Sequence, residues 1–326
     1  MGKLEDKLGL HLNEIKKRIK IERTMFVYLA LVIIVILFGI IVPASVSKGS
    51  IRSVLRESSL LGIVALGQGI LMLAGGMDIS VGNIMFFTMI YGGNFMRSQP
   101  ERLIPISILC IGIGALIGFI NGFGVAKLKI SPIIMTLGTS SIIYGFVYIF
   151  GGALMASPAP KNLQYIGKTF VFNTIPLTSF IWLALIVIFL IVLNKSSYGR
   201  YIYAVGNNYK ATWMSGISSN TVLISAYIIC DSLAALAGLL LLGYMGTPTL
   251  RFTDIYTMGS IAAVVMGGIE FFSGKGSIIG VIAGVLIVRF LFTVLVMMNV
   301  PEAGRMIIEG ALIIAIVALY NLKKIE

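Results

Sequence analysis

Apolar runs follow one another along nearly the whole 326-residue chain, and that succession restricts the fold more than any single motif does. Ten runs can be marked, near 25–42, 58–75, 84–97, 103–126, 132–152, 176–194, 221–246, 257–270, 277–299 and 305–321. About 20 apolar residues carry a helix across the ~30 Å hydrocarbon core of a bilayer. Within lipid, each backbone N–H and C=O has to find its partner inside the protein, which leaves helices or closed barrels. Barrel strands alternate in polarity over about ten residues, and these runs do not. The expected fold is an all-α integral membrane protein of about ten transmembrane helices, some interrupted by Gly.

Only 12% of the residues are charged, roughly half the usual quarter. The net charge of +12 does not point to nucleic acid, because Lys and Arg occupy short connectors between runs instead of lining an aromatic face. Cys110 and Cys230 lie inside apolar runs and read as small buried hydrophobes. The one histidine, His11, falls in the polar N-terminal segment, so a zinc site or a His-dependent triad lacks its raw material.

With ten spans both termini share a side. Placing them in the cytoplasm puts fifteen Lys and Arg inside and nine outside, with Arg289 within a span, the direction the positive-inside rule requires. Residues 1–24 then form a cytoplasmic leader. In it Leu4, Leu8, Leu12, Ile15 and Ile19 recur at helical spacing, the pattern of an amphipathic helix on the membrane surface. The leader is long and the next run exceeds a signal-peptide core, so a retained first span is expected. Residues 25–326 form a single transmembrane domain.

The connector 153–175 is external, rich in Pro, Asn and Lys, and reads as a surface loop. Its counterpart 195–220 is cytoplasmic and carries aromatic and apolar residues, so something is expected to pack against it. Outside, nine basic residues face four acids, Glu57, Glu101, Asp254 and Glu302. A positive mouth steers an acidic partner, and Arg52, Arg56, Arg97 and Arg102 are the docking candidates. The same residues could instead snorkel to lipid phosphates.

The segment Gly75-Gly76-Met77-Asp78-Ile79-Ser80-Val81-Gly82 interrupts a long apolar stretch. An aspartate at mid-bilayer costs about 2.5–3.5 kcal/mol on insertion scales, so Asp78 either meets substrate or caps the helix that follows. Asp231, Glu270 and Glu309 are further acids in or near spans, suited to ion coupling or to interhelical hydrogen bonds. Gly75 to Gly82 and Gly267 to Gly274 share a spacing that hints at an internal repeat. Gly114, Gly118 and Gly122, then Gly276, Gly280 and Gly284, form small-residue ridges that let helices approach closely. Around Lys275 the glycine spacing departs from a Walker A loop, so the chain is expected to bind no ATP and no cofactor.

These motifs together carry a resemblance. Gly75 to Gly82, Asn121-Gly122, Ile130-Ser131-Pro132, Thr136 to Thr139, Tyr198 to Asn207, Ser215-Gly216-Ile217, Ala262 to Gly268 and Gly274 to Ser277 run in order along the chain. They resemble the blocks of the ribose, xylose and galactose permeases of binding-protein-dependent bacterial ABC importers. Tyr144-Gly145 and Ile307 to Ala311 are similar to the galactose and methylgalactoside branch. Where that family has Leu-Asp-Ala ahead of its Ile-Ala-Ala block, this chain has Gly259-Ser260.

The resemblance implies a type II importer permease of the inner membrane that moves a monosaccharide. Its partners would be a second permease copy in a homodimer, two cytoplasmic ATPase subunits holding ATP and magnesium, and an external sugar-binding protein. Membrane lipid surrounds it. Coupling to the ATPase would run through 195–220, with Gly199, Arg200, Tyr203, Ala204, Gly206, Asn207, Ala211, Ser215 and Gly216 as candidates. A weakly polar path would use Asp78, Asn121, Thr136, Tyr144 and Glu270. The rival reading is an ion-coupled secondary transporter working through its intramembrane acids.

Overall fold

The computed structural model describes residues 24–151, 158–248 and 253–322, so the expected leader helix lies outside the described residues. The chain begins with helices α1 (Thr24–Ile41), α2 (Lys48–Leu73), α3 (Val81–Met96), α4 (Leu103–Ala126) and α5 (Pro132–Gly151). A short α6 (Lys161–Lys168) and a hairpin of β1 (Phe170–Val171) and β2 (Ile175–Pro176) precede α7 (Leu177–Lys195). The connector after α7 folds into α8 (Ser197–Asn207) and α9 (Tyr209–Met214). Then come α10 (Ser219–Met245), α11 (Thr253–Met266), α12 (Ile278–Met297) and α13 (Glu302–Leu322).

Each of the ten apolar runs lies on a helix. Seven of these, α1, α2, α4, α5, α7, α10 and α12, are long and apolar enough to cross a membrane. At 16 and 14 residues, α3 and α11 are shorter. The protein is an all-helical, multi-pass membrane protein.

The centre is α10, packed against α4, α2 and α3, while α2 also packs against α11 and α12. Glycines set these approaches. A Cβ added at Gly118 would lie 2.5 Å from the Tyr227 carbonyl oxygen, and one at Gly114 would lie 2.6 Å from that of Asp231. The α4 ridge therefore rests backbone to backbone on α10. Gly280 and Gly284 of α12 do the same against α11 and the turn after it: a Cβ added at either would fall 2.0 Å from a carbonyl oxygen, that of Gly267 or of Ala263.

Two expectations about local structure need correction. First, α2 begins ten residues ahead of the expected span, at Lys48, because Ser47 caps it by accepting from the Ser50 N–H at 3.3 Å. Its first turns carry Arg52, Arg56 and Glu57, which hid them from a hydropathy reading, although Val54, Ser58 and Ser59 are buried. Second, the described part of the connector 153–175 is not a plain loop. Its α6 buries Leu163 and Gly167, and Gly167 sits so close to the end of α10 that a Cβ there would lie 2.3 Å from the Tyr244 nitrogen.

A cationic side chain lies deep in the bundle. Arg289 of α12 is 4% exposed, 3.9 Å from Glu57 of α2, with its guanidinium 4.9 Å from the centre of the Tyr256 ring. Pairing with a carboxylate and an aromatic face offsets part of the cost of holding a cation at membrane depth.

Candidate functional site

The Gly75–Gly82 motif forms a break between α2 and α3. Gly75 takes φ +84, and the Gly76 N–H reaches back to the Leu71 carbonyl at 2.9 Å, a glycine stop for α2. The second glycine motif repeats this geometry at the end of α11. Gly268 takes φ +87, and the Ile269 N–H reaches the Val264 carbonyl at 3.2 Å. By these bonds Gly75 corresponds to Gly268, one residue away from the pairing that the sequence spacing indicates.

Asp78 lies in the first break and is 0% exposed. One of its oxygens, Oδ1, accepts from the Ser80 N–H at 2.5 Å and from the Ser80 hydroxyl at 2.6 Å, an Asx turn that organises the start of α3. Its Oδ2 accepts from Asn121 Nδ2 of α4 at 3.1 Å. The same amide nitrogen contacts Asp231 Oδ2 of α10 at 3.2 Å, and Asn121 Oδ1 accepts from the Thr139 hydroxyl of α5 at 2.6 Å. Thr136, one turn earlier on α5, accepts from the Ile79 N–H at 3.1 Å. Tyr227 of α10 donates to the Met77 carbonyl at 3.1 Å, and Thr257 of α11 accepts from the Gly82 N–H at 3.1 Å. Four helices thus converge on the break through side chains, and the freed backbone groups are bonded within the protein as lipid requires.

Of the five path candidates, Asp78, Asn121 and Thr136 come together in this knot, all at 0% exposure. Tyr144 does not join them. It is half exposed on α5, with its ring stacked 6.3 Å from that of Tyr148. Glu270 is also apart, partly buried in the turn between α11 and α12, where its N–H bonds to the Lys275 carbonyl at 3.2 Å. The sequence leaves Asp231 to ion coupling or an interhelical hydrogen bond, and the structure shows the second; Ser80 and Thr139 stand in the sequence only as members of motifs, without a role of their own. The Asp-x-Ser spacing could have revealed Ser80; nothing local in the sequence ties Asp231 to Asn121.

The connector 195–220 is split between two environments. Gly199 and Gly206 are buried and face the bundle, away from the exposed side of the connector. A Cβ at Gly206 would fall 1.9 Å from the Leu73 carbonyl oxygen and 2.9 Å from Gly274 Cα. The α8 backbone is therefore wedged against the end of α2 and the α11–α12 turn, beside both glycine breaks. Tyr203 and Ala204 are partly buried; burial pushes the Tyr203 and Tyr198 phenols up, and Tyr198 bonds Ser225 at 2.8 Å. Arg200, Asn207, Ala211, Ser215 and Gly216 are exposed, as are Trp213 at 65% and Met214 at 72%, two apolar residues the sequence reading missed.

The four docking arginines also divide. Arg56 donates to the Lys168 carbonyl at 3.1 Å and lies 4.2 Å from the centre of the Phe170 ring, while Arg52 donates to the Asn173 carbonyl. Both are partly buried against the hairpin. Arg97 and Arg102 remain exposed.

Comparison with known proteins identifies relatives of the chain. Residues 50–317 match a family described as "Branched-chain amino acid transport system / permease component". The fructose import permease protein FrcC of Rhizobium meliloti is 34% identical over 302 residues, covering 89% of this chain and 83% of the relative. The galactose/methyl galactoside import permease protein MglC of Escherichia coli (strain K12) is 33% identical over 312 residues, 90% of this chain and 93% of its own. The ribose import permease protein RbsC of Bacillus subtilis (strain 168) is 32% identical over 299 residues, 91% and 92% respectively. No solved structure matches the chain. With a helical bundle organised around two glycine breaks and relatives aligned over nine-tenths of its length, the chain belongs to this family of import permeases.

Proposed function

We propose that this chain is the permease subunit of an ABC importer that brings a monosaccharide across the inner membrane. The family description names branched-chain amino acids, whereas the relatives' names specify fructose, galactose or methyl galactoside, and ribose. Alignment with sugar permeases over nearly the full chain carries the sugar reading. The galactose and methylgalactoside branch is not favoured over the other sugars, since the three relatives lie within two percentage points of one another.

In this reading both termini are cytoplasmic. ATPase subunits, which hold ATP and magnesium, grip the exposed side of α8 and α9, with Trp213 and Met214 beside Ala211 as the apolar part of the contact. The side facing the membrane, wedged at Gly206, carries the displacement to the two breaks. Tyr144 and Ser141 face away from the bundle, so a path along them needs a second copy to wall it from lipid. That supports a homodimer. The closed knot of Asp78, Asn121 and Thr136 shapes the break instead of binding sugar, because all three are fully buried and bonded to protein. The ion-coupled alternative loses its main support, since Asp78 and Asp231 both bond Asn121 as interhelical partners.

Reconstitution of the permease with its ATPase and external binding protein tests the proposal. Hydrolysis should rise with a sugar-loaded binding protein and not with one loaded with leucine or valine. Stimulation by the amino acids alone would overturn the sugar reading.

A further inference from the structure

The hairpin before α7 contains a residue that its own backbone disfavours. Phe172 and Asn173 take φ of 51 and 55, and the Thr174 N–H closes the turn on the Val171 carbonyl at 3.2 Å. Two consecutive left-handed residues make a type I′ turn, which Asn and Gly suit and a bulky aromatic does not. Packing does not compensate, because Phe172 is 89% exposed. Backbone outliers of this kind concentrate where a surface grips something.

The turn is held firmly in place. Arg52 donates to the Asn173 carbonyl, Arg56 donates to the Lys168 carbonyl, and Arg56 lies over both the Phe170 and Tyr244 rings, at 4.2 and 4.8 Å. Next to the hairpin, α6 exposes Lys161, Tyr165 and Lys168 at the spacing of one helix face. The turn at 97–102 is tied to the segment before α6 by the Ser98 hydroxyl, 3.0 Å from the Pro158 carbonyl, and exposes Arg97 and Arg102 with Glu101. Among the described residues, these four exposed cations and one acid lie around the hairpin and α6. Such a field suits an acidic partner. A fluid lipid surface requires no fixed geometry, and α1, α4 and α5 already expose unstrained apolar side chains to it.

We infer that Phe172 is the anchor through which the external sugar-binding protein seats on the permease, entering an apolar socket rimmed by acidic residues. The inference rests on the proposed function above and on the topology that places this hairpin outside. It moves the docking role from Arg52 and Arg56, which instead brace the hairpin, to the residue they brace.

Phe172→Asn tests it, because asparagine suits the turn and the variant should fold at least as well. With the permease–ATPase complex in nanodiscs, thermal stability should hold or rise, while affinity for the sugar-loaded cognate binding protein falls about tenfold or more. Phe172→Tyr should retain most of that affinity. Equal affinity of wild type and Phe172→Asn would overturn the inference and leave the importer reading intact; a wild type that binds no such protein would overturn both. In a second arm, Phe172→Trp is placed in nanodiscs containing brominated lipid. Quenching before the binding protein is added would assign the residue to lipid and also overturn the inference, whereas a spectral shift only on addition supports it.

Discussion

Helices α1 and α2 adjoin in sequence and differ in opposite senses on two scales. The most apolar stretch of α1 has a mean hydropathy of 3.0, and none of it is buried; that of α2 has 1.3, with 83% buried. In water, hydrophobicity and burial rise together. In lipid the most apolar helix is the one that faces the solvent, because acyl chains accept Leu and Ile as readily as the protein does. The interior can then hold serines, glutamine and glycines, as α2 does with Ser58, Ser59, Gln68, Gly62 and Gly67. Buried polar and small residues among the apolar ones distinguish such a helix from one that faces lipid.

The largest test of this contrast is Gly118→Leu, which drives a side chain into the Tyr227 carbonyl across the α4–α10 contact. We expect loss of nearly all monodisperse permease on size-exclusion chromatography. Preserved yield would show that the inner helices are not set by backbone contact. A smaller effect is expected of Asn121→Leu, which deprives Asp78 and Asp231 of their shared amide. Leaving buried acceptors unpaired costs about 1–3 kcal/mol or more, read as a lower melting temperature in detergent with expression retained. An unchanged melting temperature would mean that the knot contributes nothing to the fold.

Next comes a change that should spare stability. Ala211→Glu on the exposed side of α9 is expected to cut binding-protein-stimulated hydrolysis about tenfold, a change of roughly 1.4 kcal/mol in the barrier, at an unaltered melting temperature. Full stimulation would remove α9 from the ATPase contact. The smallest effect belongs to α1. Leu29→Ala, at a site 54% exposed toward lipid, should alter stability by about 0.5 kcal/mol or less, the range of substitutions away from specific contacts. A loss comparable to that of Asn121→Leu would show that α1 packs against another protein surface.

The same contrast explains what could be read from the sequence. Hydropathy located each of the seven described helices that are long and apolar enough to cross a membrane, because each such run has to satisfy lipid or a neighbouring helix. It could not rank them by burial or find the start of α2, whose Arg52, Arg56 and Glu57 turn toward protein partners. The glycine ridge of α4 was legible as packing, since small residues at helical spacing have few other uses. The partnership of Asn121 with Asp231 was not, because it joins residues 110 apart whose immediate surroundings are ordinary apolar helix. Gly206 stands out in the sequence as a coupling candidate, and the wedge against Leu73 reveals that it faces inward.

The Glu57–Arg289 pair bears on how the protein is made. Synthesis delivers α2, with Glu57 and two arginines, long before α12 brings Arg289 to it. Until then the least apolar of the seven long helices has to wait in or beside the bilayer with its acid uncompensated. Arg289 in turn arrives needing a counter-ion that is already in position. This one contact therefore closes only once α12 is in place, and a product halted before α12 would lack it.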